Sequence, residues 1–425
     1  MNALWSVLLL LPAVVTGFVL LRGYRTAPLV RALLRRFRWT NAMFIALIAV
    51  SVALGVGVIA QERGLRIGTA QAAAKFPVVV GAPGSETDLL LASVFLKSSD
   101  TALLSGEIFD RIAGDPRVRI AAPVAFGDSH HGAPVVGTTA EFVWHLSGGD
   151  MIGRNFARTG EVVVGALSDL QIGDHFHPSH GHGASADEEA HEGFELEVVG
   201  RMHRTGSPWD RAVMLPIETI WEIHGLANGH TIADGARIGL PFTPEVFPGT
   251  PAVIVVPRDL GAAYGLRSQF TREGQTMAFF PGAVLQDLYR IMGDVRKAMS
   301  IITGVTQALV GAAVLLGLFI LSRLMQRHLA MLRAVGAPRR FVMAVIWSYA
   351  TVLLACGTVL GIALGYGAAL GLSELVTART NVMIRAAPGW TEVQLAFGFL
   401  SLASLAAVLP TIGILRRPTV QSLRS

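Results

Sequence analysis

Five histidines, His175, His177, His180, His182 and His191, fall within seventeen residues, beside Asp174, Asp187, Glu188 and Glu189. Neutral imidazole nitrogens and carboxylates are ligands for Zn²⁺, Ni²⁺ and Cu²⁺, and His-x-His pairs capture such ions. Glycine, serine and alanine spacers do not preorganise a tetrahedron, so any zinc here would be loosely held. The alternative is a solvated hydrophilic insertion that binds nothing. A catalytic zinc helix is excluded, because His191-Glu192 is followed by Glu195 where the second histidine of His-Glu-x-x-His belongs. Two smaller groups carry less. Asp128, His130 and His131 read as a surface loop, and Trp209, Asp210 and Arg211 read as fixing a turn after Gly206-Ser207-Pro208. No Gly-x-x-x-x-Gly-Lys-Ser/Thr occurs, so the chain has no P-loop, and no Ser/His/Asp or Cys/His arrangement stands out.

The histidines sit in an acidic block. Of 30 acidic residues, 28 lie between Glu62 and Asp294, and the others are Glu374 and Glu392. Residues 62–297 hold 19 basic against 28 acidic residues, a net of −9; the rest holds 16 against two, a net of +14. The long apolar runs are also in the rest. This division predicts a membrane protein with one large domain on the non-cytoplasmic side. The pI near 9.8 averages two compartments and does not point to nucleic acid. The only cysteine, Cys356, lies in an apolar run, so the acidic block has no disulfide and needs its own core. Its length suits two subdomains.

Four runs, 40–60, 298–322, 341–373 and 393–415, are long enough to span a hydrocarbon core. Residues 3–21 form a fifth candidate and make a poor signal peptide, with no basic residue ahead of them. The third core run exceeds what a membrane needs and predicts tilt, a break or a protruding helix. None of these runs contains Asp, Glu, Lys or Arg, which argues against proton-coupled transport through the bundle. The predicted fold is an α-helical membrane protein of four core spans plus an extra N-terminal span. A large mixed α/β periplasmic domain lies between core spans 1 and 2.

Orientation follows from arginine. Segment 22–39 carries Arg22, Arg25, Arg31, Arg35, Arg36 and Arg38 without an acid, and 323–340 carries Arg323, Arg327, Arg333, Arg339 and Arg340 without one. Both belong in the cytoplasm with the C-terminal tail, leaving 61–297 and 374–392 outside. Leu29, Val30, Leu33, Leu34 and Phe37 give 26–38 an apolar helical stripe. That helix reads either as an anchor snorkelling to lipid phosphates or as an elbow touching a partner. Gly357, Gly361 and Gly365 allow close helix approach, within one subunit or across a dimer seam. Within 61–297, strands are predicted at 76–80, 162–164, 196–199, 213–216 and 252–256, and helices at 104–114, 138–146, 216–224 and 283–300. The last runs on into the span at 298–322. GAPGSETD at 81–88 reads as a turn, and 160–176 as a strand, a short helix and a Gly-Asp turn.

One span, a large external domain and three clustered spans form a layout that resembles the FtsX/MacB/LolC-type permeases of ABC transporters. The sharpest match is HLAMLRAVGAPRRFVMAVI at 328–346, similar to that family's motif between two core spans. Here the motif positions are Arg333, Ala334, Val335, Gly336 and Ala337; Leu329, Ala330 and Met331 replace the family's earlier Glu-Ile/Leu-Gly. Pro418, Leu423 and Arg424 resemble the family's ending. The resemblance covers roughly 40–425, with 298–425 as an FtsX-like permease domain; the span at 3–21 and the histidine loop lie outside the family pattern. It implies a permease without enzymatic activity of its own, paired with a cytoplasmic ABC ATPase and a second permease subunit. Leu332, Arg333, Ala334, Gly336 and Ala337 would then couple to the ATPase, and a periplasmic client protein would be exported, extracted or activated. The rival readings are a membrane-anchored periplasmic regulator and a metal-binding protein, neither of which transports.

Overall fold

The structure is a computed structural model that describes residues 2–97, 100–180, 194–234, 236–324, 331, 333, 335–380 and 385–409. The chain divides into a helical unit (residues 1–65, 292–374 and 385–425) and an α/β unit (residues 66–291 and 375–384).

The helical unit opens with α1 (Asn2–Leu21), which continues through Pro12. The Thr16 hydroxyl donates to the Pro12 carbonyl at 2.7 Å, a threonine back-bond to the carbonyl four residues earlier. Helix α2 (Ala27–Arg36) starts on Pro28, whose fixed φ suits a first turn, and ends at Phe37. Helix α3 (Arg38–Ala73) then runs 36 residues. At 1.5 Å per residue it is about 54 Å long, well beyond a hydrocarbon core of about 30 Å.

The α/β unit contains β1 (Val78–Gly81), α4 (Glu86–Ser93), α5 (Gly106–Ala113), β2 (Val118–His130), β3 (Ala133–Thr138) and α6 (Ala140–Ser147). It continues with β4 (Met151–Gly153), β5 (Glu161–Val164), β6 (His175–Phe176), β7 (Ser179–His180) and β8 (Leu196–Met202). It closes with β9 (Val213–Pro216), α7 (Ile217–Ile223), β10 (Ala252–Pro257), α8 (Leu260–Arg272) and β11 (Met277–Phe279). The strand order is β11-β1-β10-β2-β3-β9-β5-β8-β4. Strand β2 serves two subdomains. Residues up to Val124 pair with β10, those from Ala125 pair with β3, and the register shifts between Phe126 and Asp128. The first subdomain has the order β11-β1-β10-β2, all antiparallel, which is a ferredoxin-like split βαβ pattern. The second is inserted between β2 and β10 and is mixed, with β3–β9 and β5–β8 parallel. Val78, Val80, Val253 and Val255 alternate into a core with Phe109, Ile112, Leu266 and Phe270.

Three expectations change here. Residues 81–88 turn only as far as Ser85, whose hydroxyl accepts from the Asp88 amide at 3.2 Å and caps α4. The short helix expected after β5 is absent. Leu167 donates to the Asp210 carbonyl, Ser168 donates to Gly165, and the Asp174 carboxylate accepts from Gln171, so turns take those backbone donors. Asp128 is not in a surface loop: it is fully buried on β2, between partner strands β3 and β7. His131 and Gly132, at φ +46° and +80°, form the tight turn into β3. Trp209 and Asp210 do fix a turn. The indole is fully buried between Phe76 and Phe142, and the carboxylate accepts from the amides of Thr205 (2.7 Å) and Gly206 (2.8 Å).

The chain returns through α9 (Pro281–Leu324), α10 (Arg339–Thr380) and α11 (Trp390–Ala406). The long third core run is an unbroken helix within α10, so the break considered for it is absent. Among the described residues three helices are long and apolar enough to cross a membrane: Leu4–Leu21, Arg38–Ala73 and Arg339–Thr377. Gly304–Gly317 is a shorter apolar stretch of α9. The glycine stripe of α10 lies on α3 of the same chain. A Cβ on Gly357, Gly361 or Gly365 would come within 2.7–2.8 Å of Ile48, of Ala49 and Val52, or of Ala53 and Val56. Gly371 meets nothing within 4 Å. Gly361→Val is therefore expected to destabilise the helical unit by about 1–3 kcal/mol, with Gly371→Val close to neutral, as read by thermal unfolding in detergent.

Candidate functional site

Three places bring functional residue types together. The first is the segment before α10. Val335 donates to the Met331 carbonyl at 3.0 Å, a helical bond, and Gly336 then donates to Arg333 at 3.1 Å. Gly336 has φ +104°, and a Cβ there would meet nothing within 4 Å, so backbone conformation and not space demands glycine. Pro338 follows, and its carbonyl starts α10 by accepting from Phe341 at 2.9 Å. Met331 and Val335 are exposed, Val335 at 89%. Ala337 lies between Gly336 and Pro338 and is half-buried. Leu332 and Ala334 lie outside the described residues. The segment thus presents apolar side chains and the adjacent Arg339 and Arg340 on an exposed turn that leads into α10.

The second place is a polar node in the helical unit. Glu392, in the first turn of α11, has no exposed surface, and both its oxygens accept from Nη1 of Arg63 on α3, at 2.8 and 3.0 Å. Arg63 also reaches the Ala387 carbonyl at 3.4 Å. Nearby, Ser373 of α10 donates to the Gln61 side chain at 3.0 Å and accepts from the Ala386 amide at 3.1 Å. The Tyr366 hydroxyl accepts from the Gly389 amide at 3.2 Å. The node joins α3, α10, the segment 385–389 and α11. Sequence reasoning missed it, because Arg63 and Glu392 flank the apolar runs and are 329 positions apart.

The third place is the histidine region. His175 and His180 lie on strands, β6 pairing with β8 and β7 with β2, so strand pairing reaches into the stretch 175–191 expected to be loop; residues 181–193 lie outside the described residues. His175 Nδ1 is 3.3 Å from a Glu195 carboxylate oxygen, and His177 Nδ1 is 2.9 Å from the Phe194 carbonyl. His182 and His191 lie outside the described residues. Among the described residues no group of three or more metal-ligating side chains forms. Elsewhere in the α/β unit, buried acids pair with histidines or arginines. His224 Nε2 lies 3.4 Å from buried Asp128, whose carboxylate raises the histidine pKa. His230 and Glu218 are both buried, 3.3 Å apart, and burial raises the Glu218 pKa. Glu161 accepts from Arg154 and Arg158, and these bonds hold its pKa down at about 2. These pairs give buried polar side chains a partner inside the α/β unit.

Residues 300–419 match the family model described as FtsX-like permease C-terminal. That range contains the segment 331–337 and the apolar part of α10, and it agrees with the motif resemblance. No curated protein matches the chain. Among solved structures, the periplasmic region of MacB from Actinobacillus actinomycetemcomitans is 10% identical, with a TM-score of 0.31, covering 51% of this chain and 94% of that one. The extracellular domain of the noncanonic ABC-type transporter YknZ from Gram-positive bacteria is also 10% identical, with a TM-score of 0.28, covering 48% and 98%.

Removing one partner of a buried ion pair leaves the other uncompensated. Glu392→Ala is expected to cost about 3 kcal/mol of stability in detergent. Combining it with Arg63→Ala should restore part of that loss. Additive losses in the double variant would show that the pair contributes nothing as a pair.

Proposed function

We propose that the chain is the permease subunit of an ABC transporter. It takes ATP-driven motion from a separate cytoplasmic ATPase and delivers it to its α/β unit in the periplasm of a bacterial inner membrane. The observation that carries this reading is the FtsX-like permease match over 300–419, which includes the exposed turn around Gly336. The arginine-rich segments supply the orientation, with 22–38 and 323–340 in the cytoplasm. The sequence contains no P-loop, which supports ATP hydrolysis by a partner.

Met331, Arg333 and Val335 belong to the segment that docks on the ATPase, and Leu332, Ala334, Gly336 and Ala337 contribute to the same coupling. Gly336 turns that segment sharply, so a push on it reaches α10 through the short Ala337-Pro338 link. Helices α3 and α9 contribute residues to both units and carry the motion onward. Two such permeases act with two ATPases, and a periplasmic protein or lipoprotein is the client. Charge-free apolar runs fit a device that moves an external domain without conducting its substrate through the spans.

Gly336→Val forces a branched side chain to φ +104°, a strain of about 1–3 kcal/mol confined to the turn. Arg333→Glu reverses a charge on the docking segment. Both variants should leave the α/β unit folded and lower the ATP turnover of the assembled complex. Normal assembly and normal turnover in both would overturn the assignment of this segment.

A further inference from the structure

The arginine-rich segment before α3 has a use beyond orientation. Its apolar face is already occupied. Val30 is buried in the helical core with Leu33, Leu34 and Phe37 packed against it, and Asn41 donates to the Leu34 carbonyl at 3.0 Å. The Tyr349 hydroxyl of α10 donates to that same Asn41, and Thr26 lies 3.3 Å from the Ser348 hydroxyl. Helix α2 is therefore pinned, and only its basic face is open. Arg22, Arg25, Arg31, Arg35, Arg36 and Arg38 are all exposed, and the other exposed residues of α2 are only Ala27, Pro28 and Ala32. Every arginine ion pair among the described residues involves other arginines.

Depth comes from α3. Its exposed apolar side chains Val58, Leu54, Val50, Leu47, Met43 and Trp39 follow one helical face at steps of three and four residues. That lipid-facing stripe ends at Trp39, which is 78% exposed. A tryptophan ending such a stripe marks the headgroup level. The Arg38 guanidinium lies 5.9 Å from the Trp39 ring centre, so basic groups and indole share one depth.

We propose that α2 and the start of α3 form a binding surface for anionic phospholipid headgroups, with Arg35, Arg36 and Arg38 holding phosphate beside Trp39. Guanidinium forks match phosphate oxygens, and clustered basic residues beside a spanning helix draw acidic lipids. A protein partner is disfavoured because the open face of α2 offers no aromatic or large aliphatic anchor for an interface. The proposal does not depend on the permease reading.

The test uses the full chain in detergent. Retained lipid is measured by native mass spectrometry after addition of dioleoylphosphatidylglycerol or dioleoylphosphatidylcholine. Wild-type protein should retain the anionic lipid preferentially, and Arg35→Gln/Arg38→Gln should weaken retention by about fivefold per arginine removed. Arg339→Gln/Arg340→Gln, with equal charge loss elsewhere, should not. Trp39→Ala should weaken it also, as an independent variant that keeps every charge. Equal retention of both lipids, equal loss in the two double variants, or full displacement by inorganic phosphate would overturn the proposal. So would unchanged lipid retention by the Arg35/Arg38 variant together with loss of a bound cytoplasmic protein.

Discussion

Backbone contact between α3 and α10 is the constraint on which the helical unit rests. Lipid offers no hydrophobic driving force between helices, so close packing and polar bonds must hold them together. Three glycines spaced four apart on α10 let α3 approach until carbonyl oxygens of Ala49 and Ala53 occupy the space of a missing Cβ. The two helices are then fixed above and below that contact. At one end Asn41 bonds both Tyr349 and Leu34, which seats α2. At the other, Arg63 holds buried Glu392 while Gln61 accepts from Ser373. Packing in the middle and polar bonds at both ends make α3 a stiff element. The proposed function requires that stiffness.

The α/β unit solves a different problem. It has no disulfide to hold it, so it depends on burying apolar strands and pairing whatever charge is buried. Strand β2 does much of this by serving two subdomains, with its shift in register marking the boundary. Asp128 lies just past that shift and is matched by His224, while Glu218 is matched by His230. Of the five histidines that look like metal ligands in sequence, His175 lies beside a Glu195 carboxylate oxygen and His177 beside the Phe194 carbonyl.

What the sequence disclosed follows from the range of each interaction. Membrane helices are local and long, so charge-free runs reveal α1, α3 and α10 directly. Strands at 213–216 and 252–256 are short β-branched runs and lie where β9 and β10 lie. Strand β2 is harder, because its second half is the polar Gly127-Asp128-Ser129-His130, made strand-like only by neighbours at both edges. The glycine stripe was visible as spacing, but its partner was not, since nothing local distinguishes α3 from a second subunit. The Arg63–Glu392 pair was invisible because its residues flank separate apolar runs. The segment around Gly336 was legible from motif alone, and the positive φ explains why glycine belongs there.

The central claim is that ATP on the cytoplasmic side moves the α/β unit. The direct measurement places spin labels at exposed positions 144 and 359, in the two units, with Cys356 replaced by serine. Interlabel distances are read in nanodiscs holding the complex with a hydrolysis-deficient ATPase. ATP is expected to shift the distance distribution, and Gly336→Val to abolish the shift while the ATPase stays bound. An identical distribution with and without ATP, in a complex whose ATPase is bound and loaded, would contradict the claim.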